Sequence, residues 1–153
     1  MIASYETDLI SGFNNEKEML SILRKHFNKN INQTKYRYTK YDFYDTESIY
    51  ELKTRNTSYK TFNTTLIPQD KIFTNIKKNQ YFIFSFLDKI GYIKYDNNVF
   101  KNFLVKEFVR KSREGIKDIK KNYVYIPIHL LTTIEHESKP QRNRCMINID
   151  DIL

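Results

Sequence analysis

The chain is poor in the residues that punctuate and tether: it has only three glycines and three prolines in 153 residues. Linkers and low-complexity tracts depend on such residues, so their scarcity argues for one folded domain. One cysteine, Cys145, excludes an intrachain disulfide and a cysteine-built zinc cluster. Tryptophan is absent, and 12 Tyr and 11 Phe carry the aromatic content. The longest apolar run, Tyr81 to Leu87, is too short to span a bilayer, so no membrane partner is expected. Met1 to Glu6 lack the basic-then-apolar pattern of a secretory signal, which makes a cytoplasmic, reducing location the expectation. There is no HExxH, no nucleophile elbow and no glycine-rich phosphate loop. The histidines, His26, His129 and His136, are scattered.

What is abundant is positive charge. Lys and Arg number 26 against 18 Asp and Glu, a net charge of +8. Basic domains of this size favour polyanionic partners, because neutralising phosphates releases counterions. The plain alternative is a lysine-rich surface that keeps the chain soluble. The wealth of Lys, Asn, Ile and Tyr fits AT-rich codons, as in a phage, a virus or an AT-rich bacterium, and the location would then be a host cell if the chain is viral.

Residues 1–153 read as a single α/β domain, with 1–12 and 137–153 peripheral. A helix begins near Phe13, capped by Asn14 or Asn15, with Leu20, Leu23 and Phe27 on its inner stripe. Glu16 stands four residues before Leu20 and shares that stripe, and a carboxylate there is costly without a partner. Tyr36–Asp45 and Ser48–Thr54 read as a hairpin. Thr64–Ile67 then lead to Pro68, a favoured first helical residue, for a helix over Pro68–Asn79. Tyr81–Leu87 has the continuous apolar character of a strand buried on both faces, and Tyr92–Tyr95 is its hairpin partner. The 100–108 stretch suits strand or helix. The densest basic segment, Arg110–Lys121, reads as an exposed loop or short basic helix. Tyr123–Ile128 is a strand with Pro127 at an edge or end, and His129 opens a short helix.

Chemistry concentrates in the hairpin. With a two-residue turn at Thr46-Glu47, Phe43 faces Tyr50 and Asp42 falls opposite Glu51, on the same face as Lys53. Asp45 is the rival acid, but alternation turns it away from Asp42 and beside the turn. Two carboxylates this close repel unless a cation lies between them, and a hard ion such as Mg²⁺ takes such ligands.

An Asp followed on the next strand by Glu-x-Lys, here Asp42 and then Glu51-Leu52-Lys53, resembles the PD-(D/E)XK nuclease superfamily. Tyr41 stands where those enzymes usually carry Pro, and the looser resemblance runs from Glu16 to Leu131. It implies a restriction-endonuclease-like core, a central mixed β-sheet flanked by helices in the order αβββαβ. It also implies a Mg²⁺ ion, with Mn²⁺ as substitute, on Asp42, Glu51 and the Leu52 backbone carbonyl. Lys53 is then the catalytic lysine, and a Glu on the first helix, Glu16 with Glu18 as rival, stands beside the metal. Lys71 is the basic residue such enzymes place on the helix after the third strand.

Arg55 shares the face of Lys53 if the strand continues. With Lys60, Lys71, Arg110, Lys111 and Arg113 it forms the expected nucleic-acid contacts. The function implied is Mg²⁺-dependent endonucleolytic cleavage of duplex or branched DNA. A structure-selective enzyme resembling Holliday-junction resolvases, acting as a homodimer in phage or viral DNA metabolism, is the reading. A sequence-specific restriction or homing enzyme, a non-catalytic nucleic-acid-binding protein on the same fold, and a protein-binding factor that subverts a host are the alternatives. DNA against RNA stays open at this point.

Overall fold

The structure, a computed structural model, describes residues 16–36, 39–111 and 118–135. Helix α1 (16–27) leads into β1 (Asn32–Gln33), β2 (Phe43–Tyr44) and β3 (Ser48–Thr54). Then come β4 (Thr64–Pro68), β5 (Asn79–Ser85), β6 (Ile90–Lys94), the one-turn helix α2 (Asn97–Phe100), β7 (Val105–Lys111), β8 (Asp118–Pro127) and β9 (Thr132–Ile134). One sheet runs β1-β2-β3-β5-β6-β9 and a second runs β4-β8-β7. Only β3 and β5 pair in parallel among these neighbours, so the larger sheet is mixed and the class is α/β.

Alternation along β5 divides the core in two. Ile83 packs with Met19 and Leu23 of α1 and with Phe43 and Tyr50 of the hairpin. Phe82 and Phe84 face the other way, against Ile67 of β4, Val124 and Ile126 of β8, and Phe100 of α2. A strand covered on both faces has no polar side to show, which is why its sequence is an unbroken apolar run. The apolar stripe of α1 is as read, with Met19 added to it, and Asn28 at φ 52° ends the helix in the left-handed region.

Several expectations are overturned. The mixed sheet is not flanked by helices on both sides: α1 covers one face, and the other is covered by the β4-β8-β7 sheet with α2. The helix over Pro68–Asn79 is absent. Pro68 closes β4 in extended conformation, a 3-10 turn spans Gln69–Lys71, and irregular backbone follows. β-branched Thr64, Thr65 and Ile67 pair with β8, and the Gln80 side chain grips both backbone polar groups of Phe73, leaving no helical ladder to form. A 3-10 turn and irregular backbone stand where the second helix was expected.

The helix at His129 is likewise replaced, by a 3-10 turn at Ile128–Leu130 and by β9 pairing with β6. β-branched Thr132, Thr133 and Ile134 fit a strand better than a helix. The ambiguous 100–108 stretch divides: α2 ends at Phe100 and β7 begins at Val105. The basic segment is neither loop nor helix where it is described, since Arg110 and Lys111 lie in β7 and Asp118–Lys121 in β8. Arg113, the helix start at Phe13 and both peripheral segments lie outside the described residues.

Candidate active site

The hairpin forms in the register its sequence implies, Phe43 opposite Tyr50 and Tyr44 opposite Ile49. Asp45 builds the turn: its carboxylate accepts hydrogen bonds from Glu47 N at 2.7 Å, Ser48 N at 2.8 Å and the Tyr50 hydroxyl at 2.6 Å. Burial works to raise the Asp45 pKa, but these three donors outweigh it and hold the carboxyl below its ordinary value. Burial and the bond to Asp45 push the Tyr50 phenol up. Asp45 is therefore a turn residue.

Asp42 departs from the expected geometry. β2 is only two residues long, and Asp42 N donates to the Tyr50 carbonyl rather than continuing a straight ladder opposite Glu51. Its carboxylate turns to β3 instead and accepts from Leu52 N at 2.8 Å. In an extended strand one residue's N–H and C=O leave on the same side, so the Leu52 carbonyl opens toward the gap where β2 departs. Thr34 clamps this departure: its amide donates to the Asp42 carbonyl, and its hydroxyl lies 2.9 Å from Tyr41 O and 3.0 Å from Asp42 O.

Glu51 and Lys53 sit opposite Phe82 and Phe84 in the parallel pairing with β5, so they face the second sheet. Glu51 is 8% exposed. Its Oε1 meets Lys53 Nζ at 3.4 Å and Lys71 Nζ at 3.3 Å. Lys71 thus reaches the carboxylate from a 3-10 turn, not from the helix that was expected to carry it. On α1, Glu16 accepts from Gln33 Nε2 of β1 at 2.6 Å, while Glu18 is exposed to solvent. The helix phase therefore separates the two rivals and brings Glu16 inward.

Burial raises the pKa of Glu16, Asp42 and Glu51 alike. The Asp42 charge is the next cause for both Glu16 and Glu51, which makes Asp42 the shared neighbour. The lysines pull Glu51 and Asp42 back without cancelling the upward shift. Three carboxylates face two ammonium groups, one negative charge in excess if all ionise.

The oxygens here are of the type that a hard cation takes. Among the described residues, Asp42 Oδ1 and Glu51 Oε2 accept no protein hydrogen bond. Neither is sealed off, because Ser48 Oγ is the one fully buried side-chain polar atom left without a partner there. No three His, Cys, Asp or Glu side chains among the described residues stand close enough to make a metal cluster by themselves. An ion would draw on Asp42, Glu51, the Leu52 carbonyl and water, and Mg²⁺ is commonly held by one or two carboxylates while keeping several waters.

The other basic residues are not gathered here. Arg55 is committed to β4: its Nε donates to Thr65 Oγ1 at 3.1 Å, its Nη2 donates to the Leu66 carbonyl, and its guanidinium lies 5.6 Å from the Phe84 ring centre. Burial lowers its pKa. Lys60 is exposed in the loop after β3, and Arg110 and Lys111 lie in β7, which belongs to the second sheet. Sequence reading missed Gln33 and Thr34, which lie between α1 and the hairpin. The one signal there was a hydroxyl and an amide in a short stretch ahead of the acidic hairpin. No family model, curated protein or solved structure matches the chain.

Proposed function

We propose that the chain is a Mg²⁺-dependent endonuclease of the PD-(D/E)XK type, hydrolysing DNA phosphodiester bonds. One observation carries this reading: the Asp42 carboxylate turns onto Leu52 N next to the buried Glu51 carboxylate, on which Lys53 and Lys71 converge. Carboxylates in that condition favour a further cation. The mixed sheet with α1 ahead of three strands, and the net charge of +8, also support it.

Asp42, Glu51 and the Leu52 carbonyl would hold the ion, which supplies Lewis acidity to the scissile phosphate and acidifies water. Leu52 N fixes the Asp42 carboxylate, so its second oxygen keeps one orientation. Lys53 orients the attacking water or offsets negative charge as it develops on the phosphate oxygens, and Lys71 adds a second ammonium from the 3-10 turn after β4. Glu16, steadied by Gln33, adds negative potential beside Asp42. The partial burial of the cluster strengthens each of these interactions relative to open water.

The test is nicking of supercoiled plasmid and cleavage of labelled junction, duplex and single strand in Mg²⁺ or Mn²⁺, with EDTA as control. Cleavage in metal, silence in EDTA and loss in Glu51→Gln and Lys53→Ala are the expected results. The double lysine contact at Glu51 Oε1 favours one second reading, a nucleic-acid-binding protein whose carboxylates are merely salt-bridged. Binding that ignores divalent ions, with no cleavage, selects it.

A further inference from the structure

The outer face of the small sheet carries rings and lysines that lie outside both buried core clusters. Val124 and Ile126 of β8 are buried in the core, so alternation sends Tyr123 and Tyr125 outward. The register sets Lys106 opposite Tyr123 and Phe108 opposite Lys121 on that same face. The Phe108 ring centre lies 5.7 Å from that of Tyr123 and 6.4 Å from that of Tyr125. Lys106 Nζ stands 5.7 Å from the Tyr125 ring centre. Phe108 is 42% exposed and contributes little to the core. Three adjacent rings edged by two lysines thus face outward.

We propose that this face binds single-stranded nucleic acid, with bases stacked on Phe108, Tyr123 and Tyr125 and phosphates on Lys106 and Lys121. Aromatic faces alternating with cations on a sheet are what sequence-tolerant strand binding uses. A protein partner is the less favoured occupant, since lysines are depleted from the centres of protein interfaces. Lys121 lies 3.6 Å from Asp70, but both side chains are well exposed, and such a pair yields readily to a phosphate.

The face is also joined to the carboxylate cluster. Asp70 and Lys71 are consecutive in the 3-10 turn after β4; one meets Lys121 and the other meets Glu51. The turn after β4 therefore stands between the rings and the cluster, and the preferred substrate is DNA with a single-stranded segment. That last step rests on the nuclease reading; strand binding itself does not.

The test is fluorescence anisotropy with a labelled oligothymidine and a duplex of equal length, in EDTA so that nothing is cut. The single strand binds more tightly than the duplex. Phe108→Ala and Tyr125→Ala each weaken it by roughly 5- to 100-fold, the range for losing one base–aromatic stack. Phe108→Leu, which keeps apolar area without a π-face, weakens it too, and circular dichroism confirms that each variant is folded. Unchanged strand binding in Phe108→Ala, or a preference for duplex, overturns the proposal. Loss of self-association in Phe108→Ala with strand binding intact also overturns it and makes the face a protein contact. Ring-dependent strand binding without any cleavage in Mg²⁺ keeps the platform and removes the nuclease; duplex cleavage without strand binding does the reverse.

Discussion

A thermal-shift titration with Mn²⁺ probes the carboxylate cluster without requiring turnover. The perturbation is the Asp42→Asn/Glu51→Gln double variant, compared with the natural chain. Asn can still accept from Leu52 N, so the local backbone bond survives. In the natural chain an ion bound at one hundred times its Kd adds about 2.7 kcal/mol of stability. At about 2–4 °C per kcal/mol for a chain of this size, Tm rises by about 5–11 °C. The double variant lacks both side-chain ligands and shows no such rise. The pH dependence in EDTA follows from the raised pKa of Asp42 and Glu51, caused first by burial. A group with a raised folded pKa contributes stability that is present at low pH and lost as pH rises through that folded value. The ion-free natural chain therefore gains stability relative to the double variant as pH falls from neutrality toward the ordinary carboxylate range. An equal Mn²⁺ shift in both proteins, or none in the natural chain at saturating Mn²⁺, refutes the ion-site reasoning.

Glu51→Gln and Lys53→Ala should each lower the plasmid nicking rate by about 10²–10³-fold, the scale for losing one preorganised charge-stabilising group, while gel shift in EDTA shows DNA still bound. Asp45→Ala strips acceptors from two backbone amides and the Tyr50 hydroxyl, and urea unfolding should register a loss of about 2–4 kcal/mol. Its Mn²⁺ shift stays intact; if that shift vanishes while stability holds, Asp45 and not Asp42 is the ligand. Arg55→Ala should cost about 1–3 kcal/mol, since it loses its bonds to β4 and its contact with Phe84. Normal unfolding with weakened DNA binding would return Arg55 to the phosphate path.

The hairpin was legible because its constraints are local. A two-residue turn and strict alternation determine which residues meet, and Phe43 does face Tyr50. The same rule failed one residue further, at Asp42, because β2 ends there and Thr34 holds the departing chain. Nothing in the spacing of Asp42 and Glu51 reveals Thr34. The apolar run around Phe82 was legible for a related reason: burial on both faces leaves one composition available. The second sheet was not legible. Pro68 fits a strand end as well as a helix start, and only the pairing of Thr64–Pro68 with Tyr123–Pro127, far along the chain, decides between them. Lys71 reached Glu51 even though the helix meant to carry it is absent, because the turn that carries it follows β4, whose sheet packs against the face of the large sheet on which Glu51 lies.

Two lysines on one carboxylate suggest a cluster already complete, and the balance of charge and burial decides the matter. Lys53 and Lys71 have side chains 25% and 31% exposed against 10% for Glu51, so the carboxylate gives up more of its hydration than either ammonium group. Burial and the Asp42 charge act without comparable relief, and the net shift of Glu51 remains upward. A cluster shaped for stability alone would place Gln at position 51, giving up two ion pairs to remove a buried charge whose desolvation outweighs them. Glu51→Gln should therefore raise the Tm of the ion-free protein while it abolishes the Mn²⁺ response, both read in one melting experiment. A lowered Tm in EDTA would mean that the lysine contacts outweigh the buried charge, and the acid would then be a structural residue.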